Sequence, residues 1–124
     1  MEAEVKLDGP VYVLCAADGV KMVDGELIAD DPSGVAIAPS VNDRGEVLMG
    51  TPSILVFTSR SSAHAFQGDD KDVKIATFLG VDHFLAFLRD RSAHGIRFAA
   101  FNKNRATGGA TYVPLQSVIE AAGG

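Results

Sequence analysis

Two stretches decide the fold: Ser53 to Ser59 (SILVFTS) and Ile96 to Asn102 (IRFAAFN). The first is an apolar run after Pro52 that ends in two hydroxyl residues. Its β-branched and aromatic side chains predict a buried strand, and Thr58 or Ser59 can cap a helix by accepting a free N–H of the first turn. In the second, Ile96, Phe98 and Ala100 alternate with Arg97, Ala99 and Phe101, the period-two pattern of a strand. Between them lie a short helix, Arg60 to Gln67, with Ala63 and Phe66 inward and Gly68 as its stop, and a charged loop, Asp69 to Asp72. An extended segment then spans Val73 to Leu79.

The clearest helix begins at Asp82, read as its cap. Phe84, Leu85 and Leu88 form the apolar stripe with Phe87 at its edge, while Arg89, Arg91 and His94 sit near the negative end of the helix dipole and Gly95 ends it. Working outward, Tyr112-Val113 reads as a short strand or an extended approach. Pro114 suits the first position of a final helix whose inward face is Leu115, Val118, Ile119 and Ala122, before Gly123-Gly124. Towards the N-terminus, Val11 to Ala16 (VYVLCA), after Gly9 and Pro10, is a strand covered on both faces. Lys21 to Asp30 is a hairpin turning at Asp24-Gly25. Val35 to Ala38 and Glu46 to Met49 are a further strand pair joined through Asn42, Asp43 and Gly45. The expected fold is therefore α+β: one compact domain over residues 1–124, with a mixed, mostly antiparallel sheet and two to three helices packed on it.

A chain of 124 residues with 47% hydrophobic content can bury about two thirds of its unfolded surface without metals or disulfides. Its single Cys15 has no internal partner, which points to a reducing compartment, the cytoplasm. Met1 to Asp8 (MEAEVKLD) lacks the basic, then apolar, pattern of a signal peptide, and no apolar run approaches the roughly 18 residues of a membrane span. Eleven basic against 16 acidic residues leave a net charge of −5 and a pI near 5.0, which disfavours DNA or RNA. The expectation is a soluble protein with no nucleic-acid or membrane partner.

The order of parts resembles the SseB N-terminal domain family, the enhanced-serine-sensitivity proteins. Leu55-Val56-Phe57-Thr58-Ser59 is similar to that family's strand-to-helix turn, and Phe101-Asn102 to its later strand end, although Lys103 stands where the family often has proline. The resemblance implies a small α+β domain without catalytic residues to carry over.

Candidate sites are few. Thr58, Ser59, Ser61 and Ser62 cluster at a strand-to-helix junction, but the surrounding sequence lacks the Gly-x-Ser-x-Gly elbow of a serine nucleophile, so capping explains them first. Asn102 to Thr111 (NKNRATGGAT) offers Lys103, Arg105 and the flexible pair Gly108-Gly109, without either glycine-rich phosphate motif. His64, His83 and His94 lack metal-binding spacing; His83 and His94 share a face but stand about three turns apart. The Asp69-Asp70-Lys71-Asp72 run lacks a calcium-loop pattern, and a cysteine within an apolar strand is inert. No cofactor, metal site or catalytic constellation is legible. The first functional expectation is a non-enzymatic interaction or assembly module with a protein partner or a second copy. The alternative is a small-anion or phosphorylated-ligand binder using Thr58, Ser59, Arg60, Asn102, Lys103 and Arg105, and a concave pocket at those strand ends is the feature that favours it.

Overall fold

The computed structural model describes residues 11–41, 44, 46–104, 106–107 and 109–123. The expected leaderless start, the turn at Asn42, Asp43 and Gly45, and Arg105, Gly108 and Gly124 lie outside the described residues.

The elements, in chain order, are β1 (Tyr12–Ala16), β2 (Val20–Val23), β3 (Glu26–Ala29), β4 (Ile37–Val41), β5 (Val47–Phe57), α1 (Arg60–Gln67), β6 (Val73–Ala76), α2 (Val81–Ala93), β7 (Phe98–Phe101), β8 (Thr111–Pro114) and α3 (Leu115–Ala121). A six-stranded sheet runs β6-β1-β5-β7-β8, with β4 also paired to β5, and β2-β3 form a separate ribbon. Only β5 and β7 are parallel neighbours among these pairs; the others are antiparallel. The fold is thus a single compact α+β structure with three helices on a mixed, mostly antiparallel sheet.

Alternation along the central strands divides the core into two layers. Val13, Ile54, Val56 and Ala99 point to the side that buries Phe84, Phe87 and Leu88 of α2 and Leu115, Val118 and Ile119 of α3. Leu14, Leu55, Phe57 and Ala100 point to the opposite side, where Ala63 of α1 packs. Strands covered on both faces lose the polar-out half of their pattern. Hence Ala99 and Ala100 are both fully buried despite their opposite directions.

Local chemistry explains the boundaries. Asp24 and Gly25 both take positive φ (49° and 84°), as the tightest hairpin turn requires, and Asp-Gly is well suited to it. Gly68 and Gly95 end α1 and α2 at φ 59° and 90°, backbone positions where a Cβ is penalised. Thr77, which follows β6 and is 9% exposed, donates its hydroxyl to the Val11 carbonyl (2.8 Å) and so satisfies a buried acceptor.

Three expectations need correction. Glu46 to Met49 and Ile54 to Phe57 are not separate strands, because β5 runs unbroken through Pro52. The ladder tolerates this because Pro52 pairs with Pro39 at the point where the register slips, an irregularity where residues without an N–H are accommodated. From Pro39↔Pro52 to Ser40↔Leu48, β4 advances one residue and β5 four. The second correction is that α2 starts at Val81 with Gly80 at its cap and no side-chain bond there, which places Asp82 inside the first turn. Its carboxylate still sits at the positive end of the helix dipole. Third, Pro114 closes β8 and caps α3 instead of being its first residue, because Leu115 N–H is held by the Arg97 carbonyl (2.9 Å).

Phe84 is 6% exposed and lies 5.0 Å, centroid to centroid, from Phe78. Phe84→Ala should cost about 3–5 kcal/mol in denaturant unfolding; a loss below about 1 kcal/mol would place α2 on a different face.

Candidate functional site

β5 and β7 pair in parallel from Ser53↔Phe98 to Val56↔Phe101, so the residues that leave them, Thr58 and Asn102, emerge side by side. At that point the ladder has no further backbone rung, and the Asn102 carboxamide replaces it. Its Oδ1 accepts Thr58 N–H (2.9 Å), and its Nδ2 donates to Thr58 Oγ1 (2.9 Å). The Asn102 N–H meanwhile donates to the Val56 carbonyl (2.8 Å). Asn102 adopts φ 54°, a left-handed position that asparagine tolerates better than most residues with a Cβ. Two strand ends 44 positions apart in sequence are thereby clamped by one side chain.

The helix that follows extends the clamp. Ser59, with extended backbone, is the cap of α1, its Oγ accepting Ser62 N–H (3.1 Å). Ser59 Oγ donates to Ser62 Oγ (2.9 Å), and Ser62 Oγ can donate to the Ser59 carbonyl (3.0 Å) or to Asn102 Oδ1 (3.1 Å). One hydroxyl proton cannot serve both acceptors at once, so it is shared between the cap and the clamp. These hydroxyls satisfy one another, and none of their hydrogen bonds among the described residues is to a histidine. That is the arrangement of a helix cap.

Between α1 and the loop leaving β7 lies a cleft of about 550 Å³, lined by Ser62 and Phe66 on one wall and by Asn102, Lys103 and Asn104 on the other. The loop wall has internal bracing. Asn104 Oδ1 accepts Ala106 N–H (2.8 Å) and Thr107 N–H (3.2 Å), Asn104 N–H donates to the Gly109 carbonyl (2.8 Å), and Thr107 Oγ1 accepts Gly109 N–H (3.1 Å).

The structure gathers Thr58, Ser59, Asn102 and Lys103 at this end of the sheet and sends Arg60 elsewhere. Its guanidinium carbon stands 5.1 Å from the centre of the Tyr12 ring, over β1, whereas Lys103 follows β7 on the other side of β5. Cation–π attraction to Tyr12 accounts for that direction. Arg105 lies outside the described residues. Ser62, Phe66 and Asn104 were not singled out as ligand contacts by sequence reasoning. Asn104 had a legible signal, since an asparagine followed two and three residues later by small residues in a Gly-rich loop forms this type of turn.

The remaining candidates do not converge. His64 is exposed, His83 Nδ1 accepts Leu79 N–H (2.9 Å), and His94 Nδ1 lies 2.7 Å from the Asp90 carbonyl. Among the described residues no group of three His, Cys, Asp or Glu side chains could hold a metal. Cys15 is fully buried, and a Cβ added at Gly19 or Gly34 would come within 3.2 Å of its Sγ. Burial, followed by the negative charge of Asp31, pushes its thiol up to about 11, so it stays protonated and unreactive near neutrality.

No family model and no curated protein matches the chain.

The clamp separates two variants. Asn102→Gly keeps the backbone angle and loses the carboxamide bonds, costing about 1–2 kcal/mol, whereas Asn102→Ala adds left-handed strain of about 1 kcal/mol. Chemical denaturation should therefore rank wild type above Gly above Ala; equal stability of all three would deny the clamp any structural role.

Proposed function

We propose that this chain is a non-catalytic binding domain that takes a small ligand bearing an anionic group in the cleft between α1 and the β7–β8 loop. The observation behind this reading is the position of the cleft. It opens at the carboxyl ends of two adjacent parallel strands whose connections diverge, β5 leading through α1 back to β6 and β7 leading onward to β8. Diverging connections leave a crevice outside the carboxyl ends of this one parallel pair, as they do at the strand ends of parallel α/β sheets that bind ligands. Lys103 supplies a positive charge, and no carboxylate lines the cleft among the described residues. A local cation can attract a small anion even where the net charge is −5, because exposed charges are screened beyond a Debye length of about 8 Å. The mutual satisfaction of Ser59 and Ser62 supports binding without chemistry. Residence in the cytoplasm belongs to the same proposal, supported by the single cysteine being unpaired. Kinship with the SseB N-terminal family stands as a separate proposal and supplies none of this support.

Inorganic phosphate, titrated against the protein in a thermal-shift assay at constant ionic strength, should raise Tm by several degrees near 100 times its Kd, the equivalent of about 2.7 kcal/mol. Lys103→Ala should abolish most of the rise. No shift with the wild type would remove the ligand reading.

A second reading, assembly with another copy of the chain, draws on Leu79 and Val81. These apolar residues flank Gly80 at the entrance to α2 and are 58% and 61% exposed. In a twofold dimer the same patch meets itself, so apolar surface would cover apolar surface. Light scattering after size exclusion should then give a dimer that Leu79→Ser with Val81→Ser converts to monomer; a wild-type monomer at 100-fold dilution steps up to about 0.1 mM would end this reading. No described helix is long and apolar enough to cross a membrane.

A further inference from the structure

The two asparagines of the cleft are oriented the same way, and that orientation restricts what the cleft can recognise. Asn102 Oδ1 is occupied by Thr58 N–H and shares the Ser62 hydroxyl. Asn104 Oδ1 is occupied by two backbone amides, those of Ala106 and Thr107. Backbone N–H groups can only donate, so each of these bonds fixes its carboxamide with oxygen inward and excludes the flipped arrangement. What remains of the two carboxamides is donor capacity. Asn104 Nδ2 has no hydrogen-bond partner among the described residues, one of the two Asn102 Nδ2 protons goes to Thr58 Oγ1, and Lys103 contributes an ammonium group. A group offering further donors would find both carboxamide oxygens engaged, while an oxyanion, which only accepts, complements the free carboxamide N–H groups and the ammonium.

On this basis we infer that Asn104 is a specificity-determining residue of the cleft: its Nδ2 donates to the oxyanion of a phosphate or carboxylate ligand while its Oδ1 holds the loop that presents Lys103. The inference rests on the proposed ligand-binding function and adds the residue and the hydrogen-bond polarity that select the ligand. The β7–β8 turn and the recognition donor are two ends of one carboxamide, so loop geometry and ligand choice are set together.

Asn104→Asp is the discriminating variant, because it keeps an Oδ1 to accept the Ala106 and Thr107 amides and exchanges the Nδ2 donor for a second oxygen. Thr107→Asp is its charge control, adding the same negative charge to the same loop while retaining an acceptor for Gly109 N–H. Phosphate binding by isothermal titration at about 0.15 M salt, where the Debye length is about 8 Å, should weaken at least tenfold in Asn104→Asp and less than threefold in Thr107→Asp. In 15N-labelled wild type, the Asn104 side-chain NH2 resonances should move on phosphate addition, a readout independent of any variant's folding. Wild-type binding with Asn104→Asp within threefold of it, or with unmoved Asn104 NH2 resonances, overturns the inference and leaves the cleft reading in place. Equal losses in the two Asp variants overturn it as well, because charge alone would then explain them. Failure of the wild type to bind phosphate or acetate removes the ligand reading itself, and this inference with it.

Discussion

The structure depends on β5 having no free surface along its C-terminal half. At Ile54 the strand pairs with Ile37 of β4 on one edge and Ala99 of β7 on the other, and by Val56 the partner on the first edge has become Val13 of β1. Its side chains alternate into two separate apolar layers, Ile54 and Val56 below and Leu55 and Phe57 above. Ser53, Ile54, Val56 and Phe57 are all completely buried. A strand confined on two faces and two edges cannot shift register by one residue without exchanging its whole set of side chains between layers. Every other element is positioned relative to it. β1 and β4 share one edge, β7 holds the other, α1 continues from its end, and α2 and α3 cover its lower face.

That rigidity is what makes the end of the strand usable. A binding site needs its groups held by a scaffold that does not itself move, and the ends of central strands meet that need better than free loops. Here the last rung of the β5–β7 ladder is made by a side chain, Asn102, whose one carboxamide joins Thr58 and Ser62. The cap of α1 and the clamp between strands therefore form one hydrogen-bond network. The hydroxyls that resemble catalytic groups in the sequence act as the bracing of a wall, and the donors left over belong to the loop opposite α1.

Much of this was legible from residue order. A continuous apolar run identified β1, alternation identified β7, helical spacing identified α2 and the stripe Phe84, Leu85 and Leu88 with Phe87 at its edge, and Asp24-Gly25 located the hairpin. A cap of α1 at Thr58 or Ser59 and its end at Gly68 followed from local backbone chemistry, in which each residue's preference is set by its own side chain and nearest neighbours; the structure selects Ser59. The departures arise where a distant segment overrides local preference. Pro52 reads as a strand break, but the register slip beside its pairing with Pro39 accommodates it. Asp82 reads as a cap, but the chain reaches α2 from β6 with Gly80 already in place.

The sequence by itself determined which residues are apolar, how they alternate, and where the chain turns, because those properties depend on side-chain volume, hydration and φ preference within a few residues. It also determined the donor and acceptor inventory of NKNRATGGAT. Only the tertiary structure decided that Asn102 meets Thr58 across 44 positions, that Arg60 is drawn over Tyr12 and away from Lys103, and that a cleft lies between α1 and the loop. Those outcomes depend on strand order, which is set by the pairing of β5 with β7 and by the burial of both sheet faces at once. Such terms join segments distant in sequence and have no value until the chain has closed upon itself.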